Sequence, residues 1–218
     1  MDWQALRHNM VAEQLAGRGI TDSRVLDAMR HIPRHIFVPE EQQPLAYDDT
    51  PLPIGDHQTI SQPFMVALMS QLLALDGHER LLEIGTGCGY QTAILGYLAK
   101  FVYSIERISA LAHRAETHLH SLNINNVTII IGDGSYGLPD KCPYEGIIVT
   151  AVAPQIPRPL VSQLSRMGGR LIIPVGIGDK QELVMIQRQG DEYTQTKITP
   201  VRFVPLIGKF GFQPPDKE

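Results

Sequence analysis

The sequence lacks the features that mark membrane, secreted and nucleic-acid-binding proteins. No apolar run approaches the roughly 18–20 residues that a membrane-spanning helix needs, and no charged start followed by an apolar stretch predicts a signal peptide. Only two cysteines occur, neither in a metal or redox spacing, which favours reduced thiols and a cytoplasmic location. A formal net charge of −4 without Lys or Arg runs argues against a nucleic-acid partner.

Two parts of the chain differ in pattern. Within residues 1–62, apolar residues recur at helical spacing from Trp3 to Leu15 and again from Val25 to Met29. A proline-punctuated stretch from Pro39 to Ile60 follows with little periodicity, and such long irregular segments tend to be functional. We therefore predict that residues 1–62 form helices and a covering loop, packed on the same domain as residues 63–218.

From residue 63 onward, helical and strand-like segments alternate. The predicted strands are Leu81–Ile84, Phe101–Ile105, Val127–Ile131, Gly146–Val149 and Arg170–Val175, and the predicted helices are Phe64–Leu75, Gln91–Ala99, Ser109–Leu122 and Pro159–Ser165. This alternation is typical of an α/β fold with a doubly wound, mostly parallel sheet. Three further strands, predicted at Leu183–Gln187, Thr194–Ile198 and Val201–Leu206, would give it an antiparallel C-terminal edge.

The glycine-rich segment after the first of these strands predicts a cofactor loop. Gly85, Gly87 and Gly89 stand between a strand and a helix, where glycines let the backbone approach a ligand. A dinucleotide loop requires G-x-G-x-x-G, and its third glycine would fall on Tyr90. Glu83, in the strand just before the loop, would repel a pyrophosphate. It suits the cationic sulfonium and ammonium groups of S-adenosylmethionine, directly or through water.

Two more carboxylates end the next two predicted strands. Glu106 follows Gly85 by about 20 residues, the spacing at which an acidic residue meets ribose hydroxyls in such folds. Asp133 lies between Gly132 and Gly134, where it could accept from an adenine amino group. Each carboxylate alone could be a solvated strand end or a helix cap. Three of them after three successive strands, with the glycine loop on the first, favour S-adenosylmethionine.

The segment Pro51–Pro63, P-L-P-I-G-D-H-Q-T-I-S-Q-P, is more specific than the glycine loop. Together with Glu83–Tyr90 it resembles the protein-L-isoaspartate O-methyltransferase family, whose members are Rossmann-like (class I) methyltransferases. Further matching segments are Tyr103–Arg107, Gly132–Gly134, Ile147–Ala151, Gly168–Leu171 and Val201–Leu206, so the resemblance runs from about residue 10 to residue 207. One departure is Cys88, which stands where a serine is usual and would make the loop sensitive to oxidation or alkylation.

The resemblance implies methyl transfer from S-adenosylmethionine to the α-carboxyl of L-isoaspartyl residues in damaged proteins and peptides, with S-adenosylhomocysteine as product. It implies no metal, no nucleic acid, no membrane partner and a monomer. The implied active-site residue is Ser61. The implied cofactor contacts are Gln58, Thr59, Ile60, Ser61, Glu83, Gly85, Thr86, Gly87, Gly89, Glu106, Arg107, Asp133, Gly134 and Thr150. The implied substrate contacts are Pro53, Ile54, Gly55, Ser61, Val204, Pro205 and Leu206.

Ser61 is open to two interpretations. It precedes Pro63 and an apolar-periodic helix, so its side chain could cap that helix. Alternatively, it orients the substrate carboxylate by a hydrogen bond and is not a nucleophile. The two roles are compatible, because a helix N-terminus attracts carboxylates. No general base is required, since a carboxylate with a reference pKa of about 4 is already ionised at neutral pH.

Other functions stay open at this point. The nearest alternative is a Rossmann-like methyltransferase that acts on a small molecule or RNA, and a second is a nucleotide-binding protein without activity. A hydrolase pair of His57 and Ser61 is disfavoured because no G-x-S-x-G elbow occurs. A metal site at His113, His118 and His120 is also disfavoured. Two helical turns, roughly 10 Å, separate the first histidine from the last, so we expect a solvated face.

Overall fold

The N-terminal part of the computed structural model, which describes residues 1–213, is mainly helical. Helix α1 (Trp3–Asn9) continues into a π-helical segment, Met10–Leu15, and a 3₁₀ turn, Ala16–Arg18. Helix α2 (Ser23–His31) begins after Asp22, whose side chain accepts the first free amides of the helix. Both helices lie where the apolar periodicity predicts them, although the π-helical turn has no counterpart in that pattern.

The proline-punctuated stretch that follows is more ordered than its sequence indicates. A 3₁₀ helix at Arg34–Phe37 precedes it, and it contains a second 3₁₀ helix at Glu40–Leu45 and a hairpin of strands β1 (Leu52–Gly55) and β2 (Gln58–Ile60). The two turn residues of the hairpin, Asp56 and His57, both have positive φ. Sequence periodicity misses this hairpin because its strands are four and three residues long.

A seven-stranded sheet forms the centre of the structure. Its strands are β3 (Arg80–Ile84), β4 (Phe101–Glu106), β5 (Val127–Ile131), β6 (Gly146–Val149), β7 (Met167–Ile177), β8 (Lys180–Gln189) and β9 (Glu192–Pro200). Their spatial order is β5-β4-β3-β6-β7-β8-β9, parallel from β5 to β7 and antiparallel from β7 to β9. The order reverses between β3 and β6, and ligands bind at such a switch point, beyond the carboxyl ends of the strands.

Apolar side chains cover both faces of this sheet. Neighbouring residues of one strand point to opposite faces, so Leu81 belongs to one core cluster and Leu82 to the other. The larger cluster contains side chains from α1, α2, α3 (Pro63–Leu72), α4 (Tyr90–Leu98) and α5 (Ser109–Ser121), and the smaller contains Leu160 of α6 (Arg158–Ser162). Helix α2 is also fixed by Arg24, which donates to the carbonyl oxygens of Leu75 and Leu98.

The predicted α/β fold with a mostly parallel sheet and an antiparallel C-terminal edge is confirmed. The prediction of a further strand at Val201–Leu206 is wrong. The amides of this segment are taken by other partners: Phe203 donates to the side-chain oxygen of Gln181, and Leu206 donates to the carbonyl oxygen of Val152. Only one bridge, between Pro205 and Val152, resembles sheet pairing there.

Candidate active site

In the glycine loop between β3 and α4, the backbone takes a conformation that residues with a Cβ atom rarely adopt. Gly85, Gly87 and Gly89 all have positive φ, at 95°, 55° and 92°. A Cβ atom at Gly85 would lie 2.4 Å from the hydroxyl oxygen of Thr150, which itself donates to the carbonyl oxygen of Gly85 at 2.6 Å. The loop is therefore locked against the end of β6, and its backbone is left open to a ligand.

A cavity of about 920 Å³, counting its open mouth, adjoins this loop. The predicted cofactor residues that line it are Gln58, Thr59, Ile60, Ser61, Gly85, Thr86, Gly87, Glu106, Arg107, Gly134 and Thr150. The predicted substrate residues that line it are Ser61, Val204, Pro205 and Leu206. The structure thus brings together most of the predicted site from six separate segments of the sequence.

Six predicted residues lie outside the lining of this cavity: Pro53, Ile54, Gly55, Glu83, Gly89 and Asp133. Ile54 is buried, and its carbonyl oxygen accepts from Arg114. Gly89 packs against helix α5, where a Cβ would lie 3.0 Å from that of Ala115. Residues that sequence reasoning missed also line the cavity, among them Val66, Gln91 and Ile207. Nothing in their sequence neighbourhoods distinguishes them from ordinary helix or tail residues.

The carboxyl group of Glu83 is fully buried. One oxygen accepts hydrogen bonds from the hydroxyls of Thr92 and Ser104, both at 2.6 Å, while the other has no partner among the described residues. Burial raises the pKa of Glu83 to about 8, against the lowering effect of the two hydroxyls. Ser104 is also 2.6 Å from the hydroxyl of Thr86, which lines the cavity. A chain of hydroxyls therefore connects Glu83 with the cavity.

The two other predicted carboxylates differ in their access to the cavity. Glu106 lines it and accepts from the amides of Gly87 and Ile108, each at 2.9 Å. Asp133 accepts from the amides of Ser135 and Lys209, also at 2.9 Å, and is covered by the C-terminal segment. A Cβ at Gly208 in that segment would lie 2.0 Å from the Asp133 carboxylate. The expectation that Asp133 faces a ligand therefore does not match this arrangement.

Ser61 does not cap helix α3. The helix begins at Pro63, and neither Ser61 nor Gln62 provides a side-chain cap. Instead, the carboxylate of Asp49 accepts from the backbone amide of Phe64 at 2.9 Å. The capping interpretation of Ser61 is thus wrong, and the capping role of Asp49 is one that sequence reasoning missed.

A second cavity adjoins the first, and four residues line both: Thr59, Ser61, Thr150 and Val204. Arg18 and Phe203 are among its further lining residues. Ser61 is therefore accessible from the side of the glycine loop and from a neighbouring space with an arginine at its border.

Comparison with known proteins identifies the family. The sequence pattern of protein-L-isoaspartate(D-aspartate) O-methyltransferase matches residues 6–211. The chain belongs to this family.

Individual relatives agree with that membership. Protein-L-isoaspartate O-methyltransferase 1 of Syntrophobacter fumaroxidans is 51% identical over 213 residues, which cover 98% of this chain and 99% of that protein. Protein-L-isoaspartate O-methyltransferase of Methanoregula boonei is 52% identical over 207 residues, 95% of each chain. The family resemblance inferred from the sequence segments is therefore confirmed.

Solved structures give the same result for the fold. A protein-L-isoaspartate O-methyltransferase superimposes with a TM-score of 0.85 at 29% identity, covering 94% of this chain and 67% of that one. A Plasmodium falciparum structure assigned to the same activity, in complex with S-adenosyl-L-homocysteine, gives a TM-score of 0.78 at 26% identity. The superposition covers 92% of this chain and 98% of that one. The chain is thus a member of an S-adenosylmethionine-dependent methyltransferase family.

The three histidines of α5 differ in their exposure and contacts. His118 is half-buried, 2.9 Å from the carbonyl oxygen of Cys88, while His113 and His120 are exposed. No group of three or more potential metal ligands occurs among residues 1–213. In the same range, no helix is long and apolar enough to cross a membrane.

Cys88 is protected by the loop that contains it. Its side chain is buried, and burial raises the pKa of its thiol to about 11. The thiolate is the reactive form of cysteine, so burial of Cys88 opposes the expected sensitivity to alkylation, which stays a prediction.

Proposed function

We propose that the protein transfers the methyl group of S-adenosylmethionine to the α-carboxyl of L-isoaspartyl residues in damaged proteins and peptides. Family membership supports the reaction and the substrate class. The observation that carries the proposal for the site is the position of Ser61. Its hydroxyl has no capping role, and the residue lines both the cavity at the glycine loop and the neighbouring one.

The residues of the first cavity fit S-adenosylmethionine. At Gly85 the backbone cradle has no Cβ, which would clash with the Thr150 hydroxyl. Behind the cavity and outside its lining, Glu83 has a buried carboxyl oxygen without a partner among residues 1–213. Glu106 retains lone pairs toward the cavity after accepting two amides, and these suit ribose hydroxyls. When bound, S-adenosylmethionine supplies an electrophilic methyl group.

The protein has to bind the substrate carboxylate, orient it and exclude water from it. It needs no general base, because the nucleophile requires no deprotonation. A carboxylate is already ionised at neutral pH, and its charge cancels that of the sulfonium as the two react. Exclusion of water therefore favours the reaction, and apolar lining residues such as Ile60, Val66 and Leu206 support this. We assign Ser61 to donate a hydrogen bond that aligns the carboxylate, and Val204–Leu206 to contact the substrate.

The proposal extends to the metal requirement, oligomeric state, location and partners of the enzyme. The reaction has no step that requires a metal, since the nucleophile is ionised without one. We propose that the enzyme acts as a monomer in the cytoplasm, with neither nucleic acid nor membrane as partner. The two unpaired cysteines, Cys88 and Cys142, and the net charge of −4 support this. Pro53–Gly55 stay a prediction as substrate contacts, because none of the three lines either cavity.

The test compares two peptides that differ only in one L-isoaspartyl or aspartyl residue. Each is incubated with the protein and S-adenosylmethionine labelled in the methyl group. We expect base-labile label on the isoaspartyl peptide alone, since a methyl ester is hydrolysed by base. Equal labelling of both peptides, or of neither, would refute the proposed function. Label on RNA or a small molecule instead would favour the alternative methyltransferase.

A further inference from the structure

The backbone amide of Phe64 lies in the first turn of α3, where a capping side chain normally accepts. Ser61 precedes it by three residues, the spacing at which an N-cap hydroxyl accepts from a helix amide. The structure instead pairs this amide with the Asp49 carboxylate, which comes from the loop before the hairpin, at 2.9 Å. Because the amide is a single donor, its bond to Asp49 leaves the Ser61 hydroxyl without a role in the helix.

Asp49 is held in this position from two further sides. Its second carboxylate oxygen accepts from the side-chain amide of Gln62 at 3.1 Å and forms an ion pair with Arg18. The guanidinium of Arg18 lies over the ring of Phe64, 3.9 Å from its centroid. The positive end of the α3 dipole adds to the preference for a carboxylate over a serine hydroxyl at this amide.

We infer that Asp49 is a positioning residue for Ser61. By capping α3 at Phe64, it keeps the Ser61 hydroxyl available to the two cavities, so that the hydroxyl can align the substrate carboxylate. This inference rests on the proposed function for its effect on catalysis. Without Asp49 the Phe64 amide loses its acceptor, and we expect the Ser61 hydroxyl to take that place and to turn from the substrate.

A double-mutant cycle tests this competition. Asp49→Ala, Ser61→Ala and the double variant are assayed for kcat and KM on the isoaspartyl peptide. We expect each single change to lower kcat/KM about tenfold, as for loss of one hydrogen bond to a charged group. The double variant should be no worse than either single one, because both changes remove the same interaction. A loss in the double variant equal to the product of the two single losses would overturn the inference.

Two further variants separate positioning from general damage. Asp49→Asn keeps an acceptor for the Phe64 amide and should recover most of the activity that Asp49→Ala loses. Asp48→Ala removes the exposed neighbouring carboxylate and should leave kcat and KM unchanged. An Asp49→Asn variant as impaired as Asp49→Ala would contradict the capping role.

Amide hydrogen exchange of Phe64 tests the competition independently of activity. We expect this amide to stay protected in Asp49→Ala, where Ser61 replaces the carboxylate, and to lose protection only in the double variant. Loss of protection in Asp49→Ala alone would overturn the inference. A wild-type protein that fails to methylate the isoaspartyl peptide would refute the proposed function instead, and the exchange result would still decide whether Asp49 and Ser61 compete.

Discussion

At the scale of single residues, two carboxyl groups at neighbouring strand ends have opposite environments. Glu106 lines the cavity with both oxygens bound to backbone amides. Glu83 is sealed behind Thr92 and Ser104, and burial raises its pKa to about 8. At neutral pH the Glu83 carboxyl is therefore largely protonated until a cationic group comes near. The sequence predicts both as cofactor carboxylates but cannot predict this difference, which depends on hydroxyls from α4 and β4.

The raised pKa of Glu83 makes stability depend on pH. The folded protein retains a proton at this carboxyl that the unfolded chain releases above its ordinary pKa of 4.5. The contribution to the free energy of unfolding is therefore fully present below that value and is lost as the pH rises through about 8. We expect the wild-type free energy of unfolding to fall with pH more steeply than that of Glu83→Gln.

Urea unfolding at about pH 5.5, 7 and 8.5 measures this difference in slope. Glu116→Gln on the exposed face of α5 is the matched control and should retain the wild-type slope. Parallel curves for wild type and Glu83→Gln would contradict the burial argument.

At the scale of elements, the cradle at Gly85 depends on one backbone conformation. Its φ is 95°, and a Cβ would meet the Thr150 hydroxyl at 2.4 Å, so Gly85→Ala imposes strain and a clash together. We expect a loss of about 2–3 kcal/mol in the free energy of unfolding and at least tenfold weaker binding of S-adenosylhomocysteine.

Chemical denaturation and titration calorimetry check both expectations. Gly17→Ala is the control, because the nearest atom to a Cβ there is 3.5 Å away. If Gly85→Ala bound the cofactor product as tightly as wild type does, the cradle would have no role in binding.

The elements also show why some parts of the fold could be predicted and others could not. Helix and strand periodicity locates β3 to β6 within a residue of their ends, because each is a short, mainly apolar run. The short hairpin β1–β2 has too few residues to show a period. The segment Val201–Leu206 has the composition of a strand, but after Val201 its amides bind the side chain of Gln181 and the carbonyl oxygen of Val152 instead of continuing a strand ladder.

At the scale of the whole molecule, the site is assembled by contacts between distant parts of the chain. Asp49 reaches the start of α3, and Lys209 reaches the end of β5 through its bond to Asp133. Motif spacing could predict the glycine loop and Ser61, since each lies within a local pattern. It could not predict Asp49 or Ile207, because only the tertiary fold brings them to the site.

The two cysteines of the chain differ in exposure, so the rates at which they react report on the folded state. Cys142 is exposed, whereas Cys88 lies buried in the glycine loop. With a thiol reagent under native conditions, we expect one equivalent to react rapidly and the second slowly, at a rate limited by opening of the loop.

Cys142→Ser should abolish only the rapid phase, and S-adenosylhomocysteine should slow the remaining one, because Cys88 lines the cavity. Two equally fast thiols in the native protein would contradict the buried position of Cys88. The slow phase would then measure, without any attached label, how often an empty cofactor loop opens and how firmly a bound ligand closes it.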